Sequence, residues 1–124
     1  MAVTLTTAAR NAAADAVVDL IDGGTGDATG DIAFSTSAPA TLCICTMTNP
    51  AFGSASSGVA TAAAITTGTA TAAGTCALAL FRNRANAEIF RCAVGTSGSD
   101  INLSSVTIAI NDTIAVSSLT YTQP

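Results

Sequence analysis

Four cysteines, Cys43, Cys45, Cys76 and Cys92, are the side chains of this sequence best equipped for chemistry. Cys43-Ile44-Cys45 is a C-x-C step, and on an extended strand residues two apart share a face, so both thiols point the same way. Cys76 and Cys92 fall near the outer ends of two apolar runs that read as a hairpin, where cross-strand neighbours approach. A four-thiolate zinc site and a Cys76–Cys92 disulfide are both conceivable. The paired C-x2-C steps of zinc ribbons are missing, however. The reading adopted is four free thiols acting as small buried hydrophobes, with no metal and no cofactor.

The remaining inventory argues against catalysis. There is no His and no Lys, so Ser, Thr and Cys lack their usual activating bases. Acidic residues could serve, but four of the eight lie between Asp19 and Asp31, away from the apolar runs. A carboxylate pair for glycoside chemistry would be expected beside aromatic platforms, which are scarce. The segment from Asp22 to Asp31 is rich in oxygen ligands but lacks the calcium-loop spacing and its closing Glu, so it reads as a Gly/Thr linker. Gly95 to Ser99 is no phosphate loop, because no Gly-Lys-Ser/Thr follows. Asn102-Leu-Ser and Asn111-Asp-Thr match the glycosylation sequon but carry no weight without a secretory signal. Arg82, Arg84 and Arg91 cluster around the hairpin, and with a net charge of -4 they read as ion-pair or interface partners rather than a nucleic-acid patch. The expectation is a non-enzymatic protein with no catalytic residues.

The elements that would carry these side chains follow from periodicity. Leu5, Ala9, Ala12, Ala16 and Leu20 recur at spacings of three and four, Val17 and Ile21 widen that stripe toward the C-terminal end, Thr6 or Thr7 can cap, and Gly23-Gly24 stops the run. A helix is expected from about Thr7 to Asp22, with that stripe as its packing face and Asp19 and Asp22 turned to solvent or a partner. Beyond the linker the period falls to two. Strands are expected at Asp31 to Thr36, Thr41 to Met47, Val59 to Ile65, Cys76 to Arg82, Glu88 to Val94, Val106 to Ile110 and Ile114 to Tyr121, with turns at Asn83 to Asn86 and Asn111-Asp112. Short strands at this spacing imply a mostly β fold: an antiparallel β-sandwich or jelly-roll-like barrel with one N-terminal α-helix. Residues 1–30 would form the helix and linker, and 31–124 the β domain.

Only 10% of residues are charged, and aromatics are few, so the surface must be dressed in Thr, Ser, Ala and Gly. Such a surface is neutral and easily desolvated, which suits protein contact. Met1 to Ala9 has neither a basic segment nor a long apolar run, so no signal peptide is expected, and no stretch reads as a membrane span. Free thiols then fit a chain made in a reducing cytosol. A sugar-binding module is disfavoured by the shortage of stacking residues.

Several segments are familiar together and in order. They are the opening Leu5-Thr-Thr-Ala-Ala-Arg-Asn-Ala-Ala-Ala-Asp-Ala-Val-Val-Asp-Leu-Ile-Asp, then Asn49-Pro-Ala-Phe-Gly-Ser-Ala, Gly58-Val-Ala-Thr-Ala, Phe81-Arg, Val94-Gly-Thr-Ser-Gly-Ser-Asp-Ile-Asn-Leu, and the ending Val116-Ser-Ser-Leu-Thr-Tyr-Thr. Across nearly the whole chain they resemble a family of small virion-associated structural proteins of tailed bacteriophages. The resemblance implies a particle component made in the host bacterial cytoplasm and resident in the virion, most simply a capsid decoration, or cement, protein. Its partners would be the major capsid protein or other virion proteins and further copies of itself, with no nucleic acid and no membrane. A neck, tail or fibre component is the alternative. The cysteines are a departure from the ordinary core residues that the resemblance implies.

Overall fold

The computed structural model describes residues 3–116 and 118–123. Its elements are a helix α1 (Thr7–Asp19) continued by a 3-10 turn (Leu20–Asp22), then β1 (Asp31–Ser35), β2 (Thr41–Thr46), β3 (Val59–Thr61), β4 (Gly68–Thr69), β5 (Gly74–Thr75), β6 (Leu78–Arg82), β7 (Glu88–Gly95), β8 (Ile101–Asn102), β9 (Thr107–Ile108), β10 (Thr113–Ile114) and β11 (Thr120–Thr122). The fold is mostly β with one N-terminal helix. Its principal sheet has five strands in the order β2-β1-β6-β7-β8, and three two-stranded ribbons, β10-β4, β11-β3 and β5-β9, surround it. Every pairing is antiparallel except the short β7–β8 contact.

β1 lies in the middle of the main sheet and is buried along its whole length. Ile32 and Phe34 fill one face while Ala33 and Ser35 are small enough to be covered on the other. Asp31 is buried too, and the register explains how: it sits opposite Arg82 on β6, whose guanidinium grips both carboxylate oxygens at 2.6 and 2.8 Å. β6 and β7 form the expected hairpin, with Asn83 Oδ1 accepting the N–H groups of Ala85 and Ala87 at its tip. The linker docks on that tip through Arg84 N–H to Gly23 O and Asp27 N–H to Arg84 O.

Three expected strands are shorter than their sequence pattern. Only 59–61 of Val59 to Ile65 pairs, and only 107–108 of Val106 to Ile110, where Ile110 is 59% exposed. Ile114 to Tyr121 is not one strand: its two ends belong to β10 and β11 in different ribbons, and Ser117 between them lies outside the described residues. Val59 to Ile65 is mostly Ala, which gains little from cross-strand packing, and the partners of β9 and β10 are the two-residue Gly-Thr steps β5 and β4, so these ladders stop early.

α1 has the expected extent, and Thr6 caps it by accepting the Ala9 N–H at 3.1 Å. Its packing face is the expected one only in part: of that stripe Ile21 is buried and Val17 half-buried. Leu5, Ala9, Ala12, Ala16 and Leu20 all face solvent, while Ala14, Val18 and Ile21 are buried. The reason is polar. Asn11, Asp15 and Asp22 lie along the inner side and accept the backbone N–H groups of Gly58 (2.7 Å), Ala55 (2.7 Å) and Ala51 (2.9 Å). These three groups hold the irregular segment before β3, whose peptide donors would otherwise be stranded against the helix. Asp22 thus points inward rather than to solvent.

Candidate interaction cleft

The cysteines divide into two groups. Cys43 and Cys45 share a face of β2 and are buried, as is Cys76, and Gly68 lies against the first two so tightly that a Cβ there would sit 2.7 Å from Cys43 Sγ and 3.0 Å from Cys45 Sγ. Burial pushes the Cys45 thiol up to about 11, with the neighbouring Cys43 adding to the effect. Cys43 and Cys76 are raised by burial as well. Thiols held protonated are poor nucleophiles and poor metal ligands. All four cysteines are free, and among the described residues no group of three or more His, Cys, Asp or Glu is arranged to hold a metal. Cys92 stands apart. In the hairpin register it faces Ala79, several residues from Cys76, so the two do not approach as cross-strand partners.

The acids and arginines are likewise engaged in structure. Arg82 holds Asp31, Arg91 holds Glu88 through two bonds of 2.6 Å, and Arg84 Nε donates to Asp27 O at 2.9 Å. The acids of the Asp22 to Asp31 segment diverge: Asp22 faces Ala51, and Asp31 faces Arg82.

Cys92 instead lines a cleft of about 380 Å³ between β7 and β11. Four of the chain's five aromatic side chains line it: Phe52, Phe81, Phe90 and Tyr121. Phe90 stacks on Phe81 with ring centroids 4.4 Å apart and meets Tyr121 at 5.3 Å. Phe90, Cys92 and Tyr121 are only half-buried, so the cleft presents apolar surface to solvent. Burial, with Asp100 nearby, pushes the Cys92 thiol up to about 11.

Both walls are strand edges with unspent backbone groups. Val94 N–H bonds Ala77 O, so in the antiparallel register of β6 and β7 it is the even-numbered residues of β7 that face β6. Arg91 and Ala93 therefore turn their peptide groups outward. Ala93 N–H is met by Asp100 Oδ2 at 3.1 Å, while the Arg91 peptide faces the open side of β7, short of the β8 pairing at Val94 and Gly95. On β11, Gln123 N–H bonds Gly58 O and Leu119 O accepts from Ala62, which leaves Thr120 and Thr122 turned away from β3.

Sequence reasoning missed this cleft. Its signal was the alternation of Phe90 and Cys92 on β7 opposite Phe81 on β6, but the approach of Tyr121 depends on β11 pairing with β3, which local pattern does not give. Compared with protein-family models, with curated proteins and with solved structures, the chain finds no match.

Proposed function

We propose that this chain is a non-enzymatic structural protein of a bacteriophage virion, binding the outer capsid shell and bridging neighbouring capsid subunits as a decoration or cement protein. The family resemblance of its sequence motivates this reading. The observation that best supports it is the outer face of α1, where Ala9, Ala12 and Ala16, with Leu20 in the turn that follows, lie exposed. An uncharged apolar stripe on a protein with so few charges is suited to burial against another protein. Copies repeated on a lattice would convert a weak contact into a strong one.

The test is to image intact particles with and without the protein and to heat both. The reading requires shell-wide extra density at high copy number, and shells that rupture earlier when the protein is missing. Density confined to the neck, tail or fibres would overturn the cement assignment in favour of that alternative placement. Particles with no such density at all would overturn both.

A further inference from the structure

We infer that the cleft between β7 and β11 receives the N-terminal arm of a second copy of this chain, added as a strand along the free edge at Arg91. The inference stands on the fold alone and does not depend on the virion reading.

The arm, residues 3–6, belongs to no helix or strand. Its sequence Val3-Thr4-Leu5-Thr6 alternates apolar and polar, the pattern of a half-buried strand. Val3 is 75% and Leu5 43% exposed, which makes them two of the five large apolar side chains left open among the described residues. Thr6 is committed to its own helix, since its Oγ1 accepts Ala9 N–H and its carbonyl accepts Arg10 N–H. The arm thus leaves its own fold with most of Val3 and a large part of Leu5 uncovered.

The cleft supplies what the arm lacks. The Arg91 peptide offers one donor and one acceptor to an incoming strand. Side chains on an added strand continue the pleat of the strand they join. Beside Phe90 and Cys92, which line the cleft, Val3 and Leu5 would enter the aromatic cavity; beside Arg91, which is exposed, Thr4 would face water. Every copy carries both arm and cleft, so exchange between copies can close into a symmetric oligomer.

The experiment is sedimentation equilibrium on the full chain over a wide concentration range. Three variants accompany it: Val3→Asp/Leu5→Asp in the arm, Arg91→Pro at the edge, and Arg91→Ala as control. The parent should form a discrete closed oligomer. The arm variant and Arg91→Pro should each weaken association at least about tenfold. Arg91→Ala, which keeps the edge N–H while losing the Glu88 ion pair, should associate like the parent. Mixing the arm variant with Arg91→Pro should restore part of the association, because one intact arm meets one intact cleft. A parent that stays monomeric overturns the proposal, as does an arm variant that associates unchanged or a mixture with no recovery. Circular dichroism checks each fold; if Arg91→Pro melts early, Cys92→Asp, which places a charge in the apolar cleft where Val3 and Leu5 would enter, takes its place in the association and mixing tests with the same expected outcomes.

Discussion

The Asp15 carboxylate, on the inner side of α1, accepts the backbone N–H of Ala55 at 2.7 Å across 40 residues of chain. With Asn11 and Asp22 it forms a row of acceptors that ties an irregular segment to a helix whose buried apolar contribution is small.

Asp15→Ala should therefore cost more than a surface substitution. A charge-assisted bond to a part-buried peptide donor is worth about 1.5–3 kcal/mol, and leaving the donor stranded is part of that loss. The melting temperature should fall by about 5–15 °C. Asp15→Asn, which keeps an acceptor oxygen, should recover most of the loss.

Asp22 behaves differently with pH. Burial raises its pKa above the usual aspartate value, against the lowering effect of the Ala51 N–H and with help from Asp19. A raised carboxyl binds its proton more tightly folded than unfolded, so its contribution is full below the unfolded pKa and is lost as pH rises through the folded one. Asp22→Asn should then be more stable than the parent at pH 7, the advantage shrinking to nothing below about pH 4. Melting curves of the two proteins from pH 3 to 7 check this; an advantage that grows on acidification would contradict it.

The Asp31–Arg82 pair should show strong coupling. Asp31 is 5% exposed, so Arg82→Met leaves a buried carboxylate without its counter-ion. Breaking a buried pair costs about 3–5 kcal/mol; the Arg82 side chain is 20% exposed, so about 2–3 is expected. The double variant Asp31→Asn/Arg82→Met should lose less than Arg82→Met alone. Urea unfolding of the parent, Asp31→Asn, Arg82→Met and the double variant gives the cycle.

The thiols should be slow. At pH 8 the folded protein should react sluggishly with a disulfide reagent at Cys92 and scarcely at all at Cys43, Cys45 and Cys76, while the urea-unfolded chain reacts at all four. Asp100→Asn should speed Cys92, because the carboxylate contributes to holding that thiol protonated.

Much of the fold was readable from residue order. β1, β2 and the β6–β7 hairpin carry Ile, Phe, Leu and Cys at alternating positions, and these side chains are large enough to fix a register by burial. The later ribbons were legible only as fragments: Val106, Ile108, Ile110 and Ile114 alternate as strands should, but the partners of β9 and β10 are Gly-Thr steps with no apolar pattern to announce them. The helix was placed correctly, but of its expected stripe Ile21 is buried and Val17 half-buried, while the rest faces solvent. In a segment that is mostly Ala, several faces look equally apolar, and the choice is made by Asn11, Asp15 and Asp22 seeking peptide donors that local sequence does not reveal. The cleft was hidden for a related reason: its aromatic walls come from strands that meet only through tertiary pairing.

The carboxylate of Asp100 on the Ala93 N–H has one more effect. It plugs the open side of β7 one step beyond Arg91, and β8 covers Val94 and Gly95. Any strand arriving there finds a berth only a few residues long. With little charge on its surface to repel its own kind, the protein is guarded at this edge by a stopper against endless edge-to-edge stacking into fibrils.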